Sequence, residues 1–542
     1  MEILRAFRPT EKKLGVIAAF VAAILTALVY YPALFCGFVN LDDPIFILNN
    51  PFIRNLDSNL ISFAFTSRTL DIWMPLTWLS FALDYHFWGV NPFGYHLANI
   101  VLHSANSALL ALVTARLLEF LPAFDIGERS PSMLLSRWLF VPLLAALIFS
   151  LHPLRVESVA WATERKDVLN GFFTLLSLLF YLRYAGKGRR RDHSFSLLFF
   201  ALSLMSKPVS VLLPLIFLLL DYFPLSRPKS FAFLAREKIP FVALSAVVAL
   251  LTIVLFSQRQ LLVGFSKLSL LDRVLLSGNA LFEYLKLMLF PFGILPFYEM
   301  PETIGPEQLI KTLLVAGLFI LVMLSARTRP WFFTGALCFL LPLLPVLSFF
   351  QNNDVAYAAR YTYLPSIAPT LIAAIGLAAV YDKIPKNFFW PRLLPIAIAL
   401  MLLLFYAAVT TRLIAVWRNT ETLWTRVIEI DPSTPKYMDR GVFYIISNRP
   451  QDASRDFTSA IEWLEKRGKK PDHNAYAFRG VALMDMNQFA SALKDFDAAL
   501  AIKPHPTYHY YRGLALQALG KSKEAETAFE LAGPNPPPID TF

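Results

Sequence analysis

The feature that most restricts this chain is a series of long apolar runs separated by short basic loops. From Leu14 to Leu41 there is no Asp, Glu, Lys, Arg or His. Residues 14–35 alone are long enough to cross a bilayer, which takes about 20 apolar residues. Similar runs recur to residue 411, and with 56% hydrophobic and 14% aromatic residues the chain reads as a polytopic membrane protein rather than a soluble globule. The net charge of +11 sits in the loops: Arg5, Arg8, Lys12 and Lys13, then Arg183, Lys187 and Arg189 to Arg191, then Arg227, Lys229, Arg236 and Lys238, then Arg327 and Arg329, then Lys383, Lys386 and Arg392. That placement is the positive-inside pattern, with anionic membrane lipid as partner of the charge and no nucleic acid.

The basic loops order the runs into a zigzag. The fold expected is all-α, a helical bundle of about eleven spans, with the amino terminus inside and the carboxyl terminus outside. Spans fall at about 14–35, 93–118, 138–152 and 168–184, then at about 239–256, 309–325, 331–349, 364–381 and 393–411. Residues 195–222, interrupted by Ser206-Lys207-Pro208, read as a hairpin of two short helices or as a re-entrant loop buried in protein, and 275–296 as an interfacial or re-entrant helix. The first run is too long for a typical signal-peptide core and reads as a retained anchor. Two cysteines, Cys36 and Cys338, give neither a disulfide framework nor metal-ligand spacing.

After Arg412 the composition becomes that of soluble helices and an internal period appears. Gly480, Ala492, Phe496, Ala499 and Pro504 recur as Gly513, Ala525, Phe529, Ala532 and Pro537, and Gly441, Ala453, Phe457 and Ala460 form an earlier copy. Small–small–aromatic–small spacing lets one helix pack closely on the next, which is the logic of tetratricopeptide repeats and their concave peptide-binding surfaces. The domains expected are therefore 1–412, a membrane part with a long outer loop at 36–92, and 413–542, about three repeats with a Pro-rich tail.

Polar residues stand out against this background. Asp42 and Asp43 follow the first span directly, and ionisable groups at that depth are a functional-site hypothesis. Two readings stay open for them: a general base with its orienting partner, or a turn marked by Asp43-Pro44. His96, Asn99, His103 and Asn106 share one face of a helix, either to bond neighbouring helices or to line a polar cavity. From His152 to Asp167 the chain carries Arg155, Glu157, Glu164, Arg165, Lys166 and Asp167. Arg165 and Lys166 are expected at headgroup height, where cations can hold a lipid phosphate, and Lys207 and Arg360 occupy comparable outer positions.

A set of strings resembles the transmembrane and tetratricopeptide-repeat O-mannosyltransferase-like proteins of the GT-C glycosyltransferase superfamily. They are Leu41-Asp42-Asp43, Pro75-Leu76-Thr77-Trp78, Leu83-Asp84-Tyr85-His86, Asn91-Pro92-Phe93-Gly94-Tyr95-His96, His152-Pro153, Val156-Glu157-Ser158-Val159-Ala160-Trp161, Glu164-Arg165-Lys166-Asp167, Ser206-Lys207-Pro208, Asp221-Tyr222 and Arg360-Tyr361-Thr362-Tyr363-Leu364-Pro365. The resemblance implies a polyprenyl-phosphate sugar donor, inversion at the anomeric carbon, and a base supplied by Asp42 or Asp43. It implies no metal or other cofactor. The lipid-phosphate role falls first to Arg360, then to Lys207, Arg165 and Lys166, with His86, His96, His103, Glu157 and Glu164 as candidates for the substrate cavity.

The function expected is transfer of a sugar, mannose for instance, to a hydroxyl of an exported protein or peptide presented by the repeats. The compact design points to a bacterial inner membrane with site and repeats on the periplasmic side, or to lumenal repeats in an endoplasmic-reticulum membrane if the source is eukaryotic. The alternatives are a non-catalytic, membrane-anchored repeat scaffold and transfer to a lipid or polysaccharide.

Overall fold

Inside hydrocarbon every backbone N–H and C=O must find a partner within the protein, so apolar runs of this length become helices. A computed structural model describes residues 9–67, 73–121, 136–258, 269–296, 298–301, 303–347, 355–385, 389–470 and 472–534, and it is all-α apart from one short ladder that pairs Tyr298 with Tyr357. The Pro-rich tail lies outside the described residues. The chain divides into two units: residues 1–37 with 42–417, and residues 38–41 with 418–542.

In the first unit six helices among the described residues are long and apolar enough to cross a membrane: Glu11–Phe35, Pro92–Leu118, Ala162–Lys187, Phe231–Leu255, Pro306–Leu324 and Trp390–Val416. The pair Arg137–Ser150 and Pro153–Ala160, bent by 58°, makes a seventh if it is one broken span. The zigzag of about eleven counts more because several of its runs fold as helices too short to cross alone. Pro208–Tyr222 and Pro330–Val346 are two of these. Residues 195–222 do form two helices that meet at Lys207. Leu270–Leu289 begins with a capping box between Ser269 and Asp272, buries Tyr284 and Ala280, and carries Arg273, Glu283 and Lys286.

A larger difference lies at residues 152–167, expected as an outer loop. Proline at 153 disfavours helical continuation of the residue before it. His152 turns the chain, its Nδ1 accepting the Leu154 N–H at 3.2 Å and its Nε2 donating to the Met288 carbonyl at 3.1 Å. Three short helical turns follow, and every residue from Ser150 to Gly171 is buried. The charges of this segment therefore lie inside the bundle.

The second unit holds three helical hairpins, Thr434–Ile446 with Pro450–Glu465, His473–Asp485 with Phe489–Ile502, and Pro506–Ala518 with Ser522–Ala532, preceded by Thr420–Ile430. The recurring glycine and phenylalanine touch: a Cβ at Gly480 would lie 2.8 Å from the Phe496 ring, and the same close approach recurs at Gly441 on Phe457 and at Gly513 on Phe529. Each Cβ would collide with an aromatic ring held at the hairpin centre, so the period records helix–helix contact. Two fork-to-fork ion pairs brace the first two hairpins. Arg440 donates to both Asp456 oxygens at 2.7 Å, and Arg479 to both Asp495 oxygens at 2.8 Å. Residues 38–41 belong to this unit through Asn40, which donates its backbone N–H to Thr420 Oγ1 and its amide to the Asp439 carbonyl, and accepts from Trp424 Nε1 at 2.8 Å.

Two outcomes follow for the repeats. Gly480→Ala should destabilise this unit by about 2 kcal/mol through overpacking, with Phe496→Leu partly restoring it, as read by chemical denaturation of the full chain. Burial pushes the half-buried Asp439 carboxyl up to about 7 from its ordinary 3.8. The folded unit then binds this proton more tightly than the unfolded chain, so the contribution is full below about pH 3.8 and is lost as pH rises through 7. Asp439→Asn should flatten the fall in hydrogen-exchange protection of residues 434–446 between about pH 4 and about pH 7, the window set by those two values.

Candidate functional site

Asp42 and Asp43 open the segment that re-enters the first unit, where Asp42 caps a turn by accepting the Ile45 and Phe46 N–H groups on its backbone carbonyl. The two differ in surroundings. Asp43 is fully buried and its Oδ1 accepts the Thr163 N–H at 3.3 Å. The Asp42 side chain keeps 33% of its surface exposed and faces Lys166 Nζ at 3.7 Å. The same ammonium lies 2.9 Å from Glu164 and sits over the rings of Phe46 and Trp161.

Glu164 is the centre of a larger network. Besides Lys166, it faces Lys207 Nζ at 3.5 Å and Arg360 Nε at 3.4 Å. Lys207 also pairs with Asp167 at 2.5 Å, whose second oxygen accepts the Ser158 hydroxyl at 3.0 Å. Arg360 pairs with Glu157 through its guanidinium, donates its backbone N–H to Glu157 Oε2 at 2.9 Å, and reaches the Pro296 carbonyl at 2.9 Å. Burial works against the charge of Arg360, but Glu157, Tyr361 and Glu164 outweigh it and hold the guanidinium well above its ordinary range. Lys207 is likewise raised, by Asp167 and Glu164 against the effect of burial. Both cations stay charged, and the acids, Glu164, Lys166, Lys207, Arg360, Glu157 and Asp167 form one connected site.

The polar stripe of Pro92–Leu118 builds the platform beneath it. The Asn99 amide donates to the carbonyls of Val159, Trp161 and Ala162 at 3.1–3.4 Å, and its oxygen accepts from Arg165 Nε. His103 donates Nε2 to the Ser150 carbonyl at 3.0 Å, which leaves Nδ1 to accept the Tyr363 hydroxyl at 2.7 Å. Asn106 donates to that hydroxyl and to the Val168 carbonyl, each at 2.8 Å. Asn170 fixes the break at Lys207 by donating to its carbonyl at 2.8 Å.

Of the remaining sequence candidates, Arg165, His96 and His86 form no ion pair with that network among the described residues. Arg165 is expected at headgroup height, yet it is 2% exposed and bound by Asp84 at 2.7 Å, the Tyr95 carbonyl at 2.8 Å and Asn99. Lys166 too is buried. His96 is fully buried in the stripe, whereas His86 is exposed at the last turn of Pro75–Trp88. Sequence reasoning gave Arg155 no role. It is fully buried, donates to Thr362 Oγ1 at 2.5 Å, and keeps Nε and Nη1 without a hydrogen-bond partner among the described residues. Its position two residues before Glu157, on a segment dense in charge, was the available signal.

A small cavity of about 10 Å³ adjoins two of the cations, with Asp167, Asn170, Lys207, Arg360, Tyr361 and Tyr363 in its lining. It shares Val209, Pro342 and Leu364 with an apolar cavity of about 520 Å³ walled by residues such as Leu117, Leu178, Ile216, Trp331 and Leu371. Among the described residues no three His, Cys, Asp or Glu side chains gather in a metal-holding arrangement.

No protein-family model matches the chain. Its curated relatives are protein O-mannosyl-transferases. F38B6.6 of Caenorhabditis elegans is 23% identical over 468 residues, covering 81% of this chain and 62% of that protein. Tmtc3 of Drosophila melanogaster is 23% identical over 498 residues, covering 80% and 53%. Human TMTC4 is 35% identical over 139 residues, covering 26% and 18%. The aligned chain thus spans less than two thirds of the relatives' own length.

Removing Glu164 should expose how much the network depends on it. Glu164→Ala leaves three cations facing a void and is expected to destabilise the membrane unit by about 3–5 kcal/mol. Glu429→Gln breaks the exposed pair with Arg426 and should change stability by less than about 0.5 kcal/mol. Thermal melts of the two purified variants in one detergent compare them directly.

Proposed function

We propose that this chain is a membrane glycosyltransferase that moves a sugar from a polyprenyl-phosphate carrier to a hydroxyl of an exported polypeptide, with inversion at the anomeric carbon. The relatives' names point to mannose. The observation that supports the reading is that the small pocket at Lys207 and Arg360 and the apolar cavity share Val209, Pro342 and Leu364 in their walls. A polyprenyl phosphate has that division, an anionic head on an apolar chain, and cavities of this size are typical of ligand sites.

The chemistry needs one base. Asp42 takes the proton of the acceptor hydroxyl as its oxygen bonds the anomeric carbon. The bond from that carbon to the phosphate oxygen breaks, and the polyprenyl phosphate leaves with the electron pair. Arg360 offers a planar fork to the departing phosphate and Lys207 a compact charge. No proton need be supplied to this leaving group, and the proposal includes no metal. Asp42 rather than Asp43 is assigned as base because its carboxylate is partly exposed while Asp43 is enclosed beside Thr163. Asp43 orients the turn. Arg165 and Lys166 serve the architecture: Arg165 locks Asp84 to the stripe, and Lys166 links Asp42 to Glu164. The repeats hold the acceptor polypeptide, in keeping with the surfaces such arrays present.

Membranes carrying the full chain, supplied with radiolabelled polyprenyl-phosphate mannose and exported proteins, test the proposal. Asp42→Asn should lower kcat by about 10²–10⁴-fold, the range of a lost general base. Arg360→Gln should raise the KM for the lipid donor more than it lowers kcat. Normal transfer by Asp42→Asn would sink the assignment of the base, and label recovered only in glycan or lipid would redirect the acceptor.

A further inference from the structure

A second buried charge network lies at the other end of Arg165–Lys187. Tyr181 stands sixteen residues beyond Arg165, about 24 Å along a helix at 1.5 Å per residue. Its hydroxyl donates to Asp221 Oδ1 at 2.6 Å, and Asp221 also pairs with Lys238, both side chains being only 1% exposed. Next to them Arg227 donates to both oxygens of Glu237, at 2.6 and 3.2 Å, and the Tyr184 hydroxyl also donates to Glu237. Each carboxylate here is held by a cation and a tyrosine.

Asp221 and Arg227 of this network line a separate cavity of about 610 Å³. The other walls are apolar, with Leu219, Phe231 and Leu337 among them, while Ser226, Arg227 and Lys229 gather with Asp221. Ser226 takes a left-handed backbone, φ 42°, unusual for a residue with a side chain. Lys229 is exposed, its ammonium rests over the Phe233 ring, and it forms no ion pair among the described residues.

The charge count identifies the ligand. Arg227 and Lys238 pair with the two carboxylates Asp221 and Glu237, which leaves the positive charge of exposed Lys229 without an ion pair among the described residues. Its surroundings are apolar walls on one side and a basic loop on the other. A single phosphodiester on acyl chains neutralises that charge and fills those walls. A zwitterionic phospholipid brings its own cation, and free phosphate leaves the leucines uncovered. We propose that this cavity binds one anionic glycerophospholipid, with its phosphodiester at Lys229 and Arg227 and an acyl chain along Leu219 and Leu337. The basic loops place the site in the leaflet opposite the acid pair, by the positive-inside rule. The site is independent of the proposed transfer reaction.

The test uses the full chain, purified and delipidated in mild detergent, and native mass spectrometry with phosphatidylglycerol, phosphatidylcholine or inorganic phosphate. One phosphatidylglycerol should be retained, and phosphatidylcholine held at least about fivefold more weakly, as expected for one lysine at a lipid headgroup. Lys229→Gln, a change at an exposed position, should weaken phosphatidylglycerol by a similar factor, and Leu337→Trp, which fills the apolar wall, should abolish the retained lipid. Equal retention of the two lipids, or phosphatidylglycerol binding unchanged in both variants, overturns the proposal. Displacement of the lipid by inorganic phosphate also overturns it, in favour of a phosphate site.

Discussion

Three cations around the Glu164 carboxylate hold the polar end of the membrane unit together. A lone carboxylate in that setting would cost several kcal/mol to desolvate, and so would any of Lys166, Lys207 or Arg360. With each cation within 2.9–3.5 Å of that one carboxylate, the four charges are tolerable only as a group. Each cation also comes from a different stretch of chain: beside Glu164, at the Ser206–Pro208 break, and after the Tyr298–Tyr357 ladder. Their convergence therefore fixes the mutual placement of three segments that apolar packing alone would leave free to slide, since lipid is as apolar as the helix faces.

This network also sets the terms on which a phosphate could enter. Arg360 and Lys207 already have carboxylate partners in Glu157, Glu164 and Asp167. An arriving phosphate must exchange with these carboxylates, so the gain on binding is the difference between two ion pairs rather than the whole of one. Such exchange favours a donor whose long apolar chain contributes independently, and the adjoining apolar cavity is suited to that contribution.

Much of the architecture was legible because it obeys simple periodicities. Apolar length marked the six long helices, and the glycine–phenylalanine spacing marked the three hairpins whose centres do touch. The polar stripe was visible from its offsets, although periodicity could not say that Asn99 would clamp the carbonyls of 159–162. What stayed hidden depends on contacts between distant residues. Charge is ordinarily a sign of exposure, so the 152–167 segment read as a loop until its partners, Lys207 and Arg360, were seen to neutralise it. Residues 38–41 read as the start of an outer loop because nothing local shows that Asn40 is held by Thr420, Asp439 and Trp424. The brace of Arg440 with Asp456 and Arg479 with Asp495 repeats at one spacing, yet in the third copy position 528 is Ala and Arg512 turns to Asp497 instead. A device present in two copies of three is hard to see as a period.

The two adjacent acids are separated by how firmly each is held. A general base must be fixed in place without being neutralised by its support. Asp43, enclosed and bonded by a backbone N–H, meets the first condition but has no open face for an incoming hydroxyl. Glu164, surrounded by three cations, is the wrong choice for the opposite reason: each of them opposes the gain of a proton. Asp42 lies between these extremes. Its one cation, Lys166, stands at 3.7 Å, beyond a direct hydrogen bond, and is held closer by Glu164 at 2.9 Å. Glu164 thus holds the ammonium closer than Asp42 does, which in the proposed reaction leaves the partly exposed carboxylate open to the acceptor hydroxyl.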